Sequence, residues 1–71
     1  MLIDRTLHML PRSARLAVLG RLLDHVAADG WLLIADEVSN IGDFEDVISA
    51  HPASWQLRER SAGYLFMQRA G

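Results

Sequence analysis

The chain has 71 residues, 51% of them hydrophobic, with seven basic and nine acidic side chains and a formal net charge of −2. That describes one small globular unit whose single core supplies only about 3–5 kcal/mol of net stability. There are no cysteines, which excludes a disulfide scaffold, a thiolate zinc site and a cysteine nucleophile. A secreted domain this small would need bridges, so the reading places the chain in the cytoplasm. Asp4, Arg5 and His8 interrupt the first apolar stretch and no 18-residue apolar run follows, so neither a membrane span nor a signal peptide is expected. Residues 24 to 46 hold Asp24, Asp29, Asp36, Glu37, Asp43, Glu45 and Asp46 with no basic partner, and every basic residue is Arg. No basic stripe interleaved with aromatics exists, so nucleic acid is not an expected partner.

Met1-Leu2-Ile3, ending at Asp4-Arg5-Thr6, reads as a short buried strand. A helical pattern follows. Pro11 suits a first turn, Ser13 is the expected N-cap, and Leu16, Leu19, Leu22, Leu23 and Val26 form the apolar stripe of a helix of about four turns reaching Ala28. Arg12, Arg15, Arg21, Asp24 and His25 are assigned to its outer side. Asp29-Gly30 ends it, with Gly30 the expected left-handed cap. Trp31 to Ala35 is apolar without alternation, the pattern of a parallel strand covered on both faces. Together these form a right-handed βαβ unit.

Val38 to Gly42 reads as loop. Ile41, Phe44, Val47 and Ile48 then mark a shorter helix, with Asp43, Glu45 and Asp46 expected in its first turn near the positive end of the dipole and His51-Pro52 stopping it. Trp55 to Arg60 and Tyr64 onward flank Ser61-Ala62-Gly63, the pattern of an antiparallel hairpin. The expected architecture is α/β, in the order strand, helix, strand, helix, antiparallel hairpin.

Open parallel sheets bind ligands beyond the carboxyl ends of their strands. Adjacent parallel strands would bring Asp4, Arg5 and Thr6 to the same rim as Asp36 and Glu37, with His8 in the following loop. Each residue admits two readings. Asp4 lines a pocket or caps a turn; His8 is structural, or contacts a substrate as the resemblance given below implies; Asp36-Glu37 lines a pocket or is a solvated pair. Histidines 17 and 26 residues apart match no compact metal spacing, and no metal site is expected. His25 is read as helix surface and His51 as structural.

The stretch IDRTLHMLPRSARLAVLGRLLDHVAADGWLLIADE resembles the second half of class I S-adenosylmethionine-dependent methyltransferases. Its Leu7-His8-Met9-Leu10 follows a strand with an acidic end, and Val26 to Ile34 leads into the family's fifth strand. The terminal WQLRERSAGYLFMQR is similar to the closing hairpin. The resemblance implies a partial Rossmann-like sheet, strands four to seven, spanning residues 1–71 as one partial domain. It also implies S-adenosylmethionine as cofactor, with Asp4, Arg5, Thr6, His8, Asp36 and Glu37 as cofactor or substrate-pocket candidates.

Two departures qualify it. Ala28-Asp29-Gly30 stands for the family's Pro-Gly-Gly, and the family's glycine-rich loop and acidic ribose ligand have no counterpart. The expectation is therefore a C-terminal fragment, inactive alone. With Asp4-Arg5-Thr6-Leu7 in place of an Asn/Asp-Pro-Pro-Tyr run, the expected methyl acceptor is a small molecule rather than a nucleobase or amide nitrogen. The alternative is a non-catalytic module that self-associates through an exposed first-strand edge.

Overall fold

The computed structural model describes residues 1–70. The chain forms β1 (Leu2–Asp4), a 3₁₀ turn (Leu7–Met9), α1 (Arg12–Asp24), β2 (Trp31–Ala35), α2 (Val38–Ala50), β3 (Trp55–Arg60) and β4 (Tyr64–Arg69). The four strands make one mixed sheet in the order β1-β2-β4-β3. β1 runs parallel to β2, and β4 lies antiparallel to both β2 and β3. The α/β class, the parallel pair joined by a crossover helix and the closing hairpin agree with the sequence reading.

The core lies between one face of the sheet and the two helices. Ile3, Leu32, Ile34, Leu65 and Met67 pack there against Leu19 and Leu23 of α1 and Ile41, Phe44 and Ile48 of α2. The register explains the sharing of a face: Ile3 pairs with Ile34, Ile34 with Leu65, and Leu32 with Met67. Side chains one residue out of step point the other way. The two-sided cover expected for β2 is therefore not found. Trp31 is 48% exposed and Leu33 half-buried, because both helices pack against the same face. β1 is likewise an edge strand rather than a buried one, with Leu2 62% exposed.

Several boundaries move for identifiable reasons. Pro11, not Ser13, occupies the N-cap of α1, since its ring holds φ at −55° and its carbonyl accepts the first helical bond from Arg15 N at 2.9 Å. α1 stops at Asp24 rather than near Ala28. The left-handed residue is Asp29, with φ 64°, and Gly30 has no positive φ. Gly30 serves instead through close approach: a Cβ there would lie 2.7 Å from Ala27 O and 2.8 Å from Val26 Cγ1.

The expected loop from Val38 to Gly42 is the first part of α2. Ile41 therefore belongs to the same buried stripe as Phe44 and Ile48. Asp43, Glu45 and Asp46 consequently fall mid-helix, and the first turn carries no acid. Two of the three pair across elements: Asp43 with Arg12 at 3.0 Å and Glu45 with Arg60 at 3.4 Å.

His51 ends α2 as expected. Its Nδ1 accepts from Ala53 N at 3.1 Å and from Trp55 Nε1 at 3.3 Å. The ring proton therefore sits on Nε2 and is donated to Asp24 at 2.7 Å. This ties the ends of both helices to the start of β3. In the hairpin, a bulge between Leu57 and Glu59 leaves Arg58 as the extra residue, with Nε donating to Gln68 Oε1 at 2.9 Å.

Candidate functional site at the carboxyl rim

The parallel register carries β1 and β2 to a common rim. Asp4 pairs with Ala35, and Arg5 N donates to Ala35 O at 2.8 Å. Asp4, Arg5 and Thr6 thus stand beside the residue that precedes Asp36 and Glu37, as the strand order implied. Arg5 takes the left-handed conformation, φ 54°, which turns the chain sharply away from the sheet. Thr6 Oγ1 donates back to Asp4 O at 3.3 Å. The turn is held by this threonine; among the described residues the Asp4 carboxylate makes no hydrogen bond and is exposed. Leu7 anchors the following 3₁₀ turn in the core, leaving His8 exposed at the surface.

Asp36 differs from the other five candidates in kind. It is 2% exposed, the one buried charged residue among those described. Its Oδ1 accepts from Glu37 N at 2.7 Å and Asn40 Nδ2 at 2.8 Å, so it holds the first turn of α2 in place. The Asn40 carboxamide oxygen in turn accepts from Arg15 Nη1 on α1. Asp36, Asn40 and Arg15 therefore join the end of β2 to both helices. Two atoms of this cluster, Asp36 Oδ2 and Arg15 Nε, are buried without a hydrogen-bond partner. One carboxylate oxygen is left with its accepting capacity unused, close under the rim. Glu37, by contrast, is the exposed N-cap residue and makes no side-chain capping bond.

Arg15 and Asn40 were not among the sequence candidates, although signals for both existed. Arg15 lies four residues before Leu19, on the apolar stripe itself rather than opposite it. Asn40 lies four after Asp36, the spacing that brings side chains together once α2 is extended to Val38.

A recess of about 590 Å³ lies away from this cluster, on the sheet face without helices. Trp31, Leu33, Ala35, Glu59, Tyr64 and Phe66 line it. Trp31 and Phe66 meet edge to face, with ring centroids 6.4 Å apart, and the Glu59 carboxylate accepts from the Tyr64 hydroxyl, raising the phenol above its ordinary value. A smaller recess of about 360 Å³ lies between the start of α2 and the hairpin turn, lined by Val38, Ile41, Arg60, Ser61 and Ala62. Among the described residues no three His, Cys, Asp or Glu side chains gather as metal ligands, and no helix is long and apolar enough to cross a membrane.

Among the described residues the glycines form no cluster at the rim, although the Gly63 carbonyl accepts from Asp36 N at 3.0 Å. Gly20 and Gly42 are inside helices, Gly30 precedes β2, and Gly63 closes the hairpin. Among the described residues the rim thus presents carboxylates, the Arg5 guanidinium and the Thr6 hydroxyl. Comparison of the chain with family models, with curated proteins and with solved structures found no match.

Proposed function

We propose that these 71 residues form the C-terminal half of a cytoplasmic S-adenosylmethionine-dependent methyltransferase domain acting on a small molecule, and that they transfer no methyl group alone. The observation that carries this reading is the parallel β1–β2 pair with its crossover helix, followed by α2 and an antiparallel hairpin. That succession agrees with the resemblance over nearly the whole chain. The residues present do not amount to a cofactor site, so the glycine-rich contacts belong to other residues. Within this reading the rim of Asp4, Arg5, Thr6, His8, Asp36 and Glu37 faces the substrate. Its contribution is placement of the acceptor, since in-line positioning supplies much of the rate in group transfer.

Calorimetric titration with S-adenosylmethionine tests the proposal. The 71 residues alone show no micromolar binding, whereas a polypeptide or complex that adds a glycine-rich loop segment to them does bind. Micromolar binding by the chain alone would overturn the assignment of those contacts to other residues. Absence of such a segment, both from the upstream reading frame and from proteins co-purifying with the chain, would overturn the methyltransferase reading itself.

A second reading is favoured by the free edge of β1. Met1 O and Arg5 N bond to β2, so the alternating backbone groups of Leu2 and Asp4 face outward, unpaired by another strand. A second copy pairing there would make a non-catalytic association module. Sedimentation velocity then shows a dimer that Leu2→Pro abolishes without unfolding, because that N–H makes no bond to β2. A monomer at every concentration rejects this reading.

A further inference from the structure

One imidazole ring joins three parts of the chain. The His51 side chain is 8% exposed at the carboxyl end of α2. Its Nε2 faces Asp24 at the end of α1, and its Nδ1 faces two N–H donors, Ala53 N and Trp55 Nε1. The Trp55 ring meets it edge to face, with centroids 6.1 Å apart. Only an unprotonated Nδ1 can accept those two bonds, because the lone pair that receives them is the site of the second proton. The network therefore fits the neutral ring alone.

The two sides of the ring respond differently to that proton. Nε2 carries hydrogen in both forms, so Asp24 accepts from it before and after, and afterwards faces an opposite charge. Nδ1 exchanges its lone pair for an N–H that points at two other N–H groups. A ring so enclosed has little water within reach to satisfy the new donor. Of the other charged or titratable groups on the surrounding elements, His25 of α1 lies exposed beside Asp24, and Arg69 of β4, opposite Trp55 in the register, donates Nη1 to Val26 O at 2.6 Å. On α2 itself Asp43 and Glu45 pair with Arg12 and Arg60, and Asp46 is exposed.

We infer that the junction between α2 and β3 is an acid-sensitive latch: a proton on His51 Nδ1 releases the Ala53 N–H and the Trp55 indole, while Nε2 keeps its hold on Asp24. The opening is local. It loosens Pro52 to Trp55 and the first pairing of β3, Trp55 with Arg69, whereas Ile41, Phe44 and Ile48 hold α2 on the sheet without the ring. The inference does not depend on the methyltransferase reading, because it uses only the bonds around one imidazole.

Imidazole changes charge between about pH 5 and 8, and tryptophan emission across that interval tests the latch. Trp31→Phe leaves Trp55 as the sole tryptophan. Its emission maximum shifts to the red as pH falls, with the same midpoint as the His51 ring resonances in proton NMR and with far-ultraviolet circular dichroism constant. His8→Gln and His25→Gln, both at exposed positions, assign those resonances. His51→Asn offers a carboxamide oxygen in the place of Nδ1 and takes up no proton, so the red shift disappears. Should that variant not fold, coincidence of the two midpoints in its parent decides. Emission that stays constant while His51 titrates, a His51 that titrates only as circular dichroism is lost, or a red shift that survives in His51→Asn overturns the inference.

Discussion

The Asn40 carboxamide donates to Asp36 Oδ1 at 2.8 Å while its own oxygen accepts from Arg15. A single neutral side chain thus stands between a buried carboxylate and a guanidinium from another helix, and satisfies part of each. The arrangement connects the sequence-level candidate Asp36 to the packing of α1 against α2. Asn40→Ala removes both bonds and leaves buried polar groups short of partners, a loss of about 1–3 kcal/mol. Urea denaturation followed by circular dichroism measures it; a midpoint equal to that of the wild type would show the cluster to be energetically idle.

Phe44 is fully buried at the centre of the core and is its largest side chain. Truncation to alanine costs about 3–5 kcal/mol, comparable with the whole stability that a core of this size supplies. Phe44→Ala is therefore expected to be largely unfolded at 25 °C, seen as lost dispersion in one-dimensional proton NMR.

The two glycines Gly20 and Gly30 respond in opposite directions to alanine. At Gly30 the added methyl meets backbone oxygen at 2.7 Å, and the turn into β2 must shift, costing about 1–3 kcal/mol. At Gly20, inside α1, nothing lies within 4 Å of the new Cβ. Alanine there gains helix propensity and stabilises by about 0.5–1 kcal/mol. Thermal melts of the two variants should bracket the wild type.

Arg12 and Asp43 make a two-pronged pair, Nε to Oδ2 at 3.0 Å and Nη2 to Oδ1 at 3.1 Å. The hydrogen bond from Arg12 holds the Asp43 carboxyl below its ordinary value of 3.8. A carboxyl depressed in the native state contributes stability above its unfolded value, and that contribution is lost as pH falls through the native value. Asp43→Asn should lower the urea midpoint at pH 7 and should converge on the wild type in acid, once both side chains are uncharged. Because the pair is partly exposed, molar salt should narrow the gap at pH 7 as well. A difference that persists unchanged into acid would assign the effect to packing instead.

Much of the architecture is legible from local pattern. The apolar spacing from Leu16 to Val26, the run Trp31 to Ala35 and the glycine-containing turn at Ser61 to Gly63 each report the period of one element, and elements of that kind formed. Element ends are less legible, because they depend on competition. Val38 to Gly42 carries few helix signals of its own, but burial of Ile41 beside Phe44 and the bonds from Asp36 draw it into α2. Asp29 takes the left-handed conformation, while Gly30 beside it is the position where backbone packs too closely for a side chain.

Length and composition by themselves determined that this is a small, cysteine-free unit with little stability to spare, and the hydrophobic periodicity added its α/β order. The rim of Asp4, Arg5, Thr6, Asp36 and Glu37 followed from assigning two adjacent parallel strands. Only the tertiary structure decided that Asp36 is buried while Glu37 is exposed, that Arg15 and Asn40 join it, and that β2 is covered on one face. The physical reason is the same in each case. A sequence period states which residues share a face, whereas burial depends on which elements pack against that face, and here both helices chose the same one.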